Sequence, residues 1–348
     1  MRALVVGAGA VGRYMAARIV LSGHEAVLLA RERAAPAFDQ HGVQLHVGGD
    51  TSTVPVRAIA SLERYIGAPF ELVVVAVRSF STPEVASLIA AAAACAPASI
   101  LTVQNGVGNE DVLATALGSD RIVAGALTVA VDRLGPTGAR ASESGGLCLA
   151  PVGGIAHNWI MAALEPGGLR MRAASDWQSL KWSKLCINIL ANGVCAALDW
   201  SPDQVYADAL AFSIDRRCFL EAARALTSAG MSAINLIDFP VPALIALMRR
   251  TPAPLLRRLL AVKVAGARGG KLPSMLADLR AGRRRVEIGS LNGAVVAELR
   301  GRGCQAPANS TLTRIVEGIA QRSIAWEAFA GRPQALAAAI EESARSGG

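Results

Sequence analysis

The chain has 348 residues and a formal net charge of +8, and it is 52% hydrophobic and 18% charged. This composition supports a sizeable buried core in one or two domains and excludes an intrinsically disordered chain. The most apolar stretch, residues 88–96, ends at Pro97 and is far shorter than the roughly 20 residues of a membrane-spanning helix. We therefore expect a soluble, cytoplasmic protein without a membrane partner.

Two residue types narrow the chemistry. The six cysteines show neither a CxxC pair nor metal-ligand spacing, which predicts reduced thiols in apolar surroundings and no metal site. Only four of the 35 basic residues are lysines, namely Lys181, Lys184, Lys263 and Lys271. Because a buried lysine, unlike an arginine, can give up its proton near neutral pH, each lysine is a candidate for proton chemistry.

A glycine-rich turn opens the chain. Residues 2–6 predict a strand and residues 11–22 a helix, and the turn between them has the GxGxxG pattern. Its members are Gly7, Ala8, Gly9, Ala10, Val11 and Gly12. Between a strand and a helix, this pattern is typical of dinucleotide binding, because the helix N-terminal amides face the pyrophosphate.

The residue after the second strand indicates which dinucleotide binds. That strand is predicted at residues 25–30, and Arg31 follows it. An acid at this place would bond the ribose 2′-hydroxyl of NAD, whereas an arginine accommodates the 2′-phosphate of NADP. Arg31 therefore favours NADPH over NADH, and Glu32 facing the ribose is the alternative.

Further strands are predicted downstream, at residues 71–77, 100–103, 121–131 and 146–152. In a parallel sheet the ligand lies at the carboxyl ends of the strands. This places Arg78 and Asn105 beside the cofactor, although Asn105 precedes a glycine and could equally be a turn residue.

The second half of the chain reads as helical. Residues 175–178 have the form of a capping box and predict a helix of about twenty residues. Lys184, Asn188 and Asn192 are spaced four apart on it, and form a polar stripe on an otherwise apolar helix. Such a stripe faces partners or a cleft, because unpaired burial of polar groups is costly. Lys181 lies near the same face, so spacing does not choose between the two lysines.

An enzyme that transfers a hydride from a bound nicotinamide cofactor to a carbonyl also needs a proton donor. Hydride transfer to a carbonyl leaves an alkoxide, which a positioned acid must neutralise. Histidine is a common choice, but all four histidines, the last at His157, lie in the first half of the chain. A lysine on the stripe is therefore the natural donor.

Two other segments of the second half have a predicted structure. Residues 236–271 look like an extra helical excursion, and Arg283–Arg285 look like a solvated turn between helices.

The chain resembles the ketopantoate reductase family over nearly its whole length. The motifs that carry the resemblance are GAGAVG at 7–12, Val77-Arg78, QNGVGNE at 104–110, WSKL at 182–185 with Asn188 and Asn192, and SMLADL with VEIGSLNGAVV from Ser274 onward. The resemblance implies an α/β Rossmann domain over residues 1–172 and an all-α domain over 173–345, the latter like the C-terminal domain of 6-phosphogluconate dehydrogenase. It also implies an active site in the cleft between them and a homodimer.

The resemblance further implies roles for individual residues. Lys184 would be the general acid in the NADPH-dependent reduction of a 2-oxo acid, most simply 2-dehydropantoate, and Glu287 would order the site near nicotinamide and substrate. Beyond the glycine turn, the implied cofactor contacts are Arg31, Arg78, Asn105, Ala130 and Glu287. The implied substrate contacts are Asn105, Lys184, Asn188, Asn192 and Ser274.

Departures from the family pattern put the substrate in question. Arg78 and Ser81 replace a common lysine and glutamine, and residues 200–203 lack an asparagine that family members often use. One extra residue lies between Ser274 and Glu287, and Gly289 replaces a common acid. A reductase of a different 2-oxo acid or carbonyl, a non-catalytic NADPH-binding sensor and a nucleic-acid-binding protein are the alternatives, the last being the weakest because the basic excess is spread out.

Overall fold

The computed structural model describes residues 1–154, 157–268 and 272–346, and only the backbone of 262–268 and 346. Contacts divide the chain into two compact units. The first unit comprises Met1–Lys181 and Leu236–Phe239, and the second comprises Trp182–Asn235 and Pro240–Gly348. The sequence-based division at 172/173 stays a prediction, and the contact division falls a few residues later.

The first unit is an α/β domain. Its strands are β1 (Arg2–Val6), β2 (Glu25–Leu29), β3 (Val43–Val47), β4 (Asp50–Val54), β5 (Arg57–Ile59), β6 (Leu72–Val75), β7 (Ser99–Thr102), β8 (Ile122–Leu127), β9 (Val131–Leu134), β10 (Gly138–Ala141), β11 (Leu147–Pro151) and β12 (Met171–Ala173). Its helices are α1 (Ala10–Leu21), α2 (Ala35–His41), α3 (Thr82–Ala91), α4 (Asn109–Leu117) and α5 (Asn158–Leu164), and the first turn of α6 (Trp177–Ile189) also belongs to it.

The main sheet has the order β12-β11-β8-β7-β6-β1-β2-β5, and all neighbouring pairs are parallel except β8 with β11. Successive residues of β1 point to opposite faces, as the pleat requires. Ala3 and Val5 pack in one apolar cluster with residues of α1, whereas Leu4 and Val6 pack in another with residues of α3 and α4. The sheet is therefore covered on both faces, and the predicted Rossmann class is confirmed.

A second sheet, in the order β4-β3-β10-β9, was not foreseen. The stretch 121–131, predicted as one strand, is wrong as a single element: β8 ends at Leu127, and β9 begins at Val131 and pairs with β10 in the second sheet. The chain turns between them at Thr128, whose hydroxyl donates to the carbonyl of Ile237 at 3.1 Å. This contact partner lies more than a hundred residues away, so no local pattern reveals it.

The second unit is helical throughout its described residues. After α6 come α7 (Gly193–Leu198), α8 (Pro202–Ala207), α9 (Ala209–Ser228), α10 (Val241–Arg250), α11 (Ala253–Arg268), α12 (Ser274–Arg280), a π-helix (Gly289–Gly293), α13 (Ala294–Arg300), α14 (Pro307–Gln321) and α15 (Pro333–Ser346). The predicted all-α class is confirmed. Among the described helices, none is long and apolar enough to cross a bilayer.

Two weaker predictions can also be judged. Arg283–Arg285 are exposed between α12 and the π-helix, which confirms the solvated turn. The excursion at 236–271 supplies α10 and α11, but its first four residues pack in the first unit, and residues 269–271 lie outside the described part of the chain. The predicted reduced cysteines are all unpaired: Cys304 is half-buried and the other five are buried.

Candidate active site

The glycine turn has the geometry that a dinucleotide requires. Gly7 adopts φ +110°, and its amide donates to the carbonyl of Leu29 at the end of β2 (3.2 Å). A Cβ on Gly12 would lie 1.7 Å from the Gly7 carbonyl oxygen, so only glycine lets α1 approach the turn. A Cβ on Gly9 would meet nothing within 4 Å, which leaves the backbone open to a ligand there. Tight turn, open backbone and close packing are the three roles of these glycines.

The predicted cofactor residues of the first unit follow five neighbouring parallel strands. The glycine turn follows β1, Arg31 follows β2, and Arg78, Asn105 and Ala130 follow β6, β7 and β8. Because these strands are all parallel, their carboxyl ends meet at one edge of the sheet. The structure thus brings these residues to the edge where doubly wound sheets bind ligands.

Local hydrogen bonds shape both ends of this row. The carbonyl of Arg31 accepts bonds from the amides of Ala34 (2.7 Å) and Ala35 (3.1 Å), so the exposed Arg31 begins a tight turn. At the other end, the amide of Ala130 donates to the Ser142 hydroxyl (3.0 Å), which fixes the base of the β9–β10 hairpin. Arg78 and Asn105, between them, are half-buried.

Arg13 is a buried cation beside the glycine turn that the sequence did not single out. Its Nε donates to the carbonyl of Ala8 (3.0 Å), and its two Nη atoms donate to three carbonyls of residues 135–138 at the tip of the β9–β10 hairpin. The guanidinium also lies 5.2 Å from the centre of the Phe38 ring. Burial, with a smaller contribution from Arg133, lowers the pKa of Arg13 to about 10, so it remains charged at neutral pH. It clamps the hairpin to the glycine turn and adds positive charge where phosphates would bind.

The structure separates the two lysines that spacing left equivalent. Lys181 is buried, and its Nζ lies 2.9 Å from Oε1 of Glu110, which is buried as well. Lys184 is half-buried and belongs to the second unit. The three N–H donors of the Lys181 ammonium face Glu110 and the carbonyls of Gln104 and Gly125, so none remains for a substrate. The ion pair therefore favours Lys184 over Lys181 as the general acid.

Two residues of the predicted polar stripe, Lys184 and Asn188, lie on α6, whereas Asn192 follows its end and precedes α7. Lys184 and Asn188 are half-buried among buried neighbours, and Asn192 is 7% exposed. The Asn192 amide nitrogen donates to the carbonyl of Asn188 at 3.1 Å, whereas its buried Oδ1 has no hydrogen-bond partner among the described residues. Because buried acceptors are almost always satisfied, this oxygen is suited to a ligand or an ordered water.

The helix that carries the stripe is shorter than predicted. It ends at Ile189, and Ala191 adopts φ +46° before α7 begins. The buried carboxylate of Asp215 on α9 accepts the Ala191 amide at 2.9 and 3.1 Å, and also accepts the Tyr206 hydroxyl at 3.2 Å. This carboxylate, from a residue distant in sequence, stabilises the backbone turn between α6 and α7, which the apolar sequence pattern does not indicate. At the other end the Asp176 carboxylate accepts the amides of residues 178 and 179, so the predicted capping box from Ser175 is wrong.

Glu287 lies in the turn just before the π-helix and is 4% exposed. The start of α7 packs against this segment, since a Cβ on Gly193 would lie 3.2 Å from Cδ1 of Ile288 and 3.4 Å from the Asn292 amide. Ser274 is the first residue of α12, which packs against α7. Single-turn π-helices occur frequently at functional sites. The second unit thus groups Asn192, Glu287 and Ser274 around α7.

The residues predicted to contact the substrate do not all belong to one unit. Asn105 belongs to the first unit, whereas Lys184, Asn188, Asn192 and Ser274 belong to the second, as does Glu287. Arg13, Glu110 and Asp215 support the candidate site but were missed. Each is a single ionisable residue whose partners are distant in sequence, so spacing carries no signal for it.

Comparison with known proteins agrees with this geometry. Residues 3–154 match the family described as ketopantoate reductase PanE/ApbA, and residues 176–320 match ketopantoate reductase PanE/ApbA C terminal. The 2-dehydropantoate 2-reductase of Halobacterium salinarum is 27% identical over 92% of this chain and 99% of its own length. That of Archaeoglobus fulgidus is 26% identical over 91% and 97%.

Solved structures show the same fold. The 2-dehydropantoate 2-reductase of Geobacter metallireducens aligns with a TM-score of 0.77 at 26% identity, over 91% of this chain and 99% of that one. A ternary structure of D-mandelate dehydrogenase with NADH and anilino(oxo)acetate also aligns with a TM-score of 0.77, at 19% identity over 92% and 99%. The family matches identify an oxidoreductase, and the solved structures show its fold. The chain belongs to the ketopantoate reductase family.

Proposed function

We propose that the protein reduces a 2-oxo acid to a 2-hydroxy acid with NADPH, 2-dehydropantoate being the first candidate substrate. The observation that carries this proposal is the row of candidate residues after five neighbouring parallel strands, which includes an open glycine turn after β1. The named relatives support the substrate, and Arg31 after β2 supports NADPH. The homodimer remains a prediction, which sedimentation of the purified protein would test.

In this proposal the residues of the chain bind, orient and donate a proton. Bound NADPH supplies the hydride that reaches C2 of the substrate. The Lys184 ammonium donates its proton to the C2 oxygen, so that the hydroxyl forms as the carbonyl bond is reduced. Asn188, Asn192 and Ser274 hold the substrate's carboxylate and hydroxyl, and Glu287 orients the site. The unpartnered Oδ1 of Asn192 suits a substrate hydroxyl donor.

A different 2-oxo acid is the second candidate, on one specific observation. In the segment 200–203, Ser201 forms a capping box with Gln204: the Gln204 amide donates to the serine hydroxyl (3.3 Å) and the Ser201 amide to Gln204 Oε1 (2.8 Å). The Ser201 side chain therefore caps α8. If relatives contact substrate from this segment, that contact is missing here, and a substrate other than 2-dehydropantoate becomes reasonable.

The test is NADPH oxidation with 2-dehydropantoate and a panel of aliphatic and aromatic 2-oxo acids, repeated with NADH. We expect NADPH-selective turnover, with 2-dehydropantoate among the best substrates. Turnover of another 2-oxo acid alone would favour the second candidate. Tight NADPH binding without turnover of any substrate would contradict the reductase proposal and favour a sensor.

The cofactor preference has its own test. We expect Arg31→Ala to raise KM for NADPH by about 10-fold or more, because a charge-assisted bond to phosphate is lost, and to leave KM for NADH nearly unchanged. Arg33→Ala is the matched control, since Arg33 is exposed in the same turn. A larger effect from Arg33, or equal effects on both cofactors, would remove Arg31 from the 2′-phosphate site.

A further inference from the structure

A buried ion pair lies beneath the turn that carries Asn105. The Nζ of Lys181 is 2.9 Å from Oε1 of Glu110, and the side chains are 2% and 0% exposed. The Thr102 hydroxyl donates to the same carboxylate oxygen (2.5 Å). The pair therefore bridges the first turn of α4 and α6, and it reaches the end of β7 through Thr102.

The lysine holds both ends of the loop 104–110. Besides its ion pair with Glu110, its Nζ donates to the carbonyl of Gln104 at 2.7 Å and to that of Gly125, in β8, at 3.3 Å. Gln104 immediately precedes Asn105, and Glu110 closes the loop. One ammonium group thus ties the start of the loop to its end and to the neighbouring strand.

Side chains on the far side of the loop hold Asn105 itself. Its carbonyl oxygen accepts bonds from the Ser79 hydroxyl (2.8 Å) and from the Asn109 amide (3.1 Å). The Gln104 amide donates to the carbonyl of Val77 (3.1 Å), next to Arg78. The loop after β7 and the turn after β6 are therefore one hydrogen-bonded assembly with the ion pair at its base.

Stability alone does not account for this pair. Replacing a buried ion pair with apolar residues of similar volume is often neutral or stabilising, because desolvation offsets the attraction. The Oε2 of Glu110 and the Oε1 of Gln104 are also buried without a hydrogen-bond partner in the described part of the chain, a further cost. A pair retained at such cost under a ligand-binding edge is more readily explained by the geometry that it enforces.

The position of the loop defines what that geometry serves. A dinucleotide lies across the strand where the order reverses, which is β1, with β2 on one side and β6 and β7 on the other. With its 2′-phosphate at Arg31 after β2, the nicotinamide half of a bound dinucleotide would lie toward β6 and β7. We propose that Lys181 and Glu110 are positioning residues that fix the Asn105 loop against the nicotinamide half of the cofactor. This inference rests on the proposed function.

The test measures the binding of two ligands to a variant in which both charges of the pair are removed. Lys181→Met alone would leave Glu110 buried and unpaired and could prevent folding, so the variant is Lys181→Met/Glu110→Gln, whose glutamine still accepts the Thr102 hydroxyl. Binding of NADPH and of 2′-phospho-ADP-ribose, which lacks the nicotinamide ring, is measured by calorimetry, with the melting temperature and kcat. The matched control is Arg2→Gln/Glu25→Gln, which removes an exposed ion pair of the same unit.

We expect the double variant to bind NADPH about 10-fold more weakly and 2′-phospho-ADP-ribose within about twofold of the parent, since only one half of the site loses its preorganisation. Its kcat should fall by roughly 10-fold to 10²-fold, as misplacement of reacting groups predicts. The control should change neither. Unchanged binding and kcat, or equal weakening of both ligands, would overturn the inference. A parent that binds neither ligand would overturn the proposed function, a result that is visible before any variant is made.

Discussion

The two units differ in the buried charged side chains that bind their backbone. In the first unit the buried cations Arg13 and Lys181 donate to backbone carbonyls of the glycine turn, the β9–β10 hairpin and the ends of strands. In the second unit carboxylates accept backbone amides: the buried Asp215 binds the amide of Ala191, and the half-buried Glu221 binds those of Ala308 and Asn309.

This contrast follows from the backbone that each fold leaves unpaired. Helix beginnings expose amides, for which carboxylates are the natural partners. The turns after parallel strands here present carbonyls, for which cations are the natural partners. The cost of desolvation is visible in both units, since burial lowers the pKa of Arg13 and raises that of Glu221. In the first unit, the buried Arg13 also places positive charge next to the sheet edge where the phosphates of a dinucleotide would bind.

The largest expected effect concerns Lys184, the proposed general acid, which belongs to the second unit. We expect Lys184→Met to lower kcat by ~10²-fold or more, as for loss of a positioned general acid, with NADPH affinity nearly unchanged. The measurement is steady-state turnover together with calorimetric NADPH binding. Turnover within a few-fold of the parent would assign proton donation elsewhere and blur the distinction between the two units.

The acids of the second unit should be structural. We expect Asp215→Ala to lower the free energy of unfolding by about 3 kcal/mol, because the Ala191 amide and the Tyr206 hydroxyl would be buried without their acceptor. Urea unfolding measures this. The control is Asp203→Ala on the exposed face of α8, expected to have little effect. Comparable losses in both variants would mean that Asp215 has no special role.

Helix ends offer a smaller test. Arg322 is exposed at the end of α14 with φ +65°, so Arg322→Gly should stabilise the protein by about 0.5–1 kcal/mol. Arg314, exposed inside the same helix, is the control: Arg314→Gly should destabilise by about 1 kcal/mol. Opposite shifts in the urea midpoint are expected, and shifts of the same sign would contradict the backbone argument.

The smallest expected effect is pH-dependent. The hydrogen bond from Arg170, assisted by the Gly145 amide, lowers the pKa of Asp238. A depressed acid contributes stability above its unfolded pKa of about 4, and this contribution disappears as the pH falls through the folded pKa. Asp238→Asn keeps a side chain that tolerates φ +65° and should cost less than about 1 kcal/mol at pH 7, with the difference vanishing once the pH lies below the lowered pKa of Asp238. A difference that persists in acid would point to the backbone.

These contrasts show which parts of the molecule were readable from its sequence. The strand β1 and helix α1 were predicted to within a residue, because Gly7 and Gly12 sit where strand and helix meet. The break at Ala191 was not, because its stabilising carboxylate comes from α9. Strand β4 was missed because its residues are mostly polar and exposed, so neither an apolar run nor alternation marks it. Lys181 could not be told from Lys184 because Glu110 lies 71 residues upstream.

The unequal exposure of the six cysteines has a practical consequence. Burial raises the pKa of Cys95 to about 11 and that of Cys186 to about 12, and it also raises that of Cys218 well above its usual value. Maleimide dyes require both access and thiolate, and of the six cysteine residues only Cys304 is more than slightly exposed. The unmodified chain therefore already contains a handle for attaching one fluorophore to the second unit, without removing any other thiol.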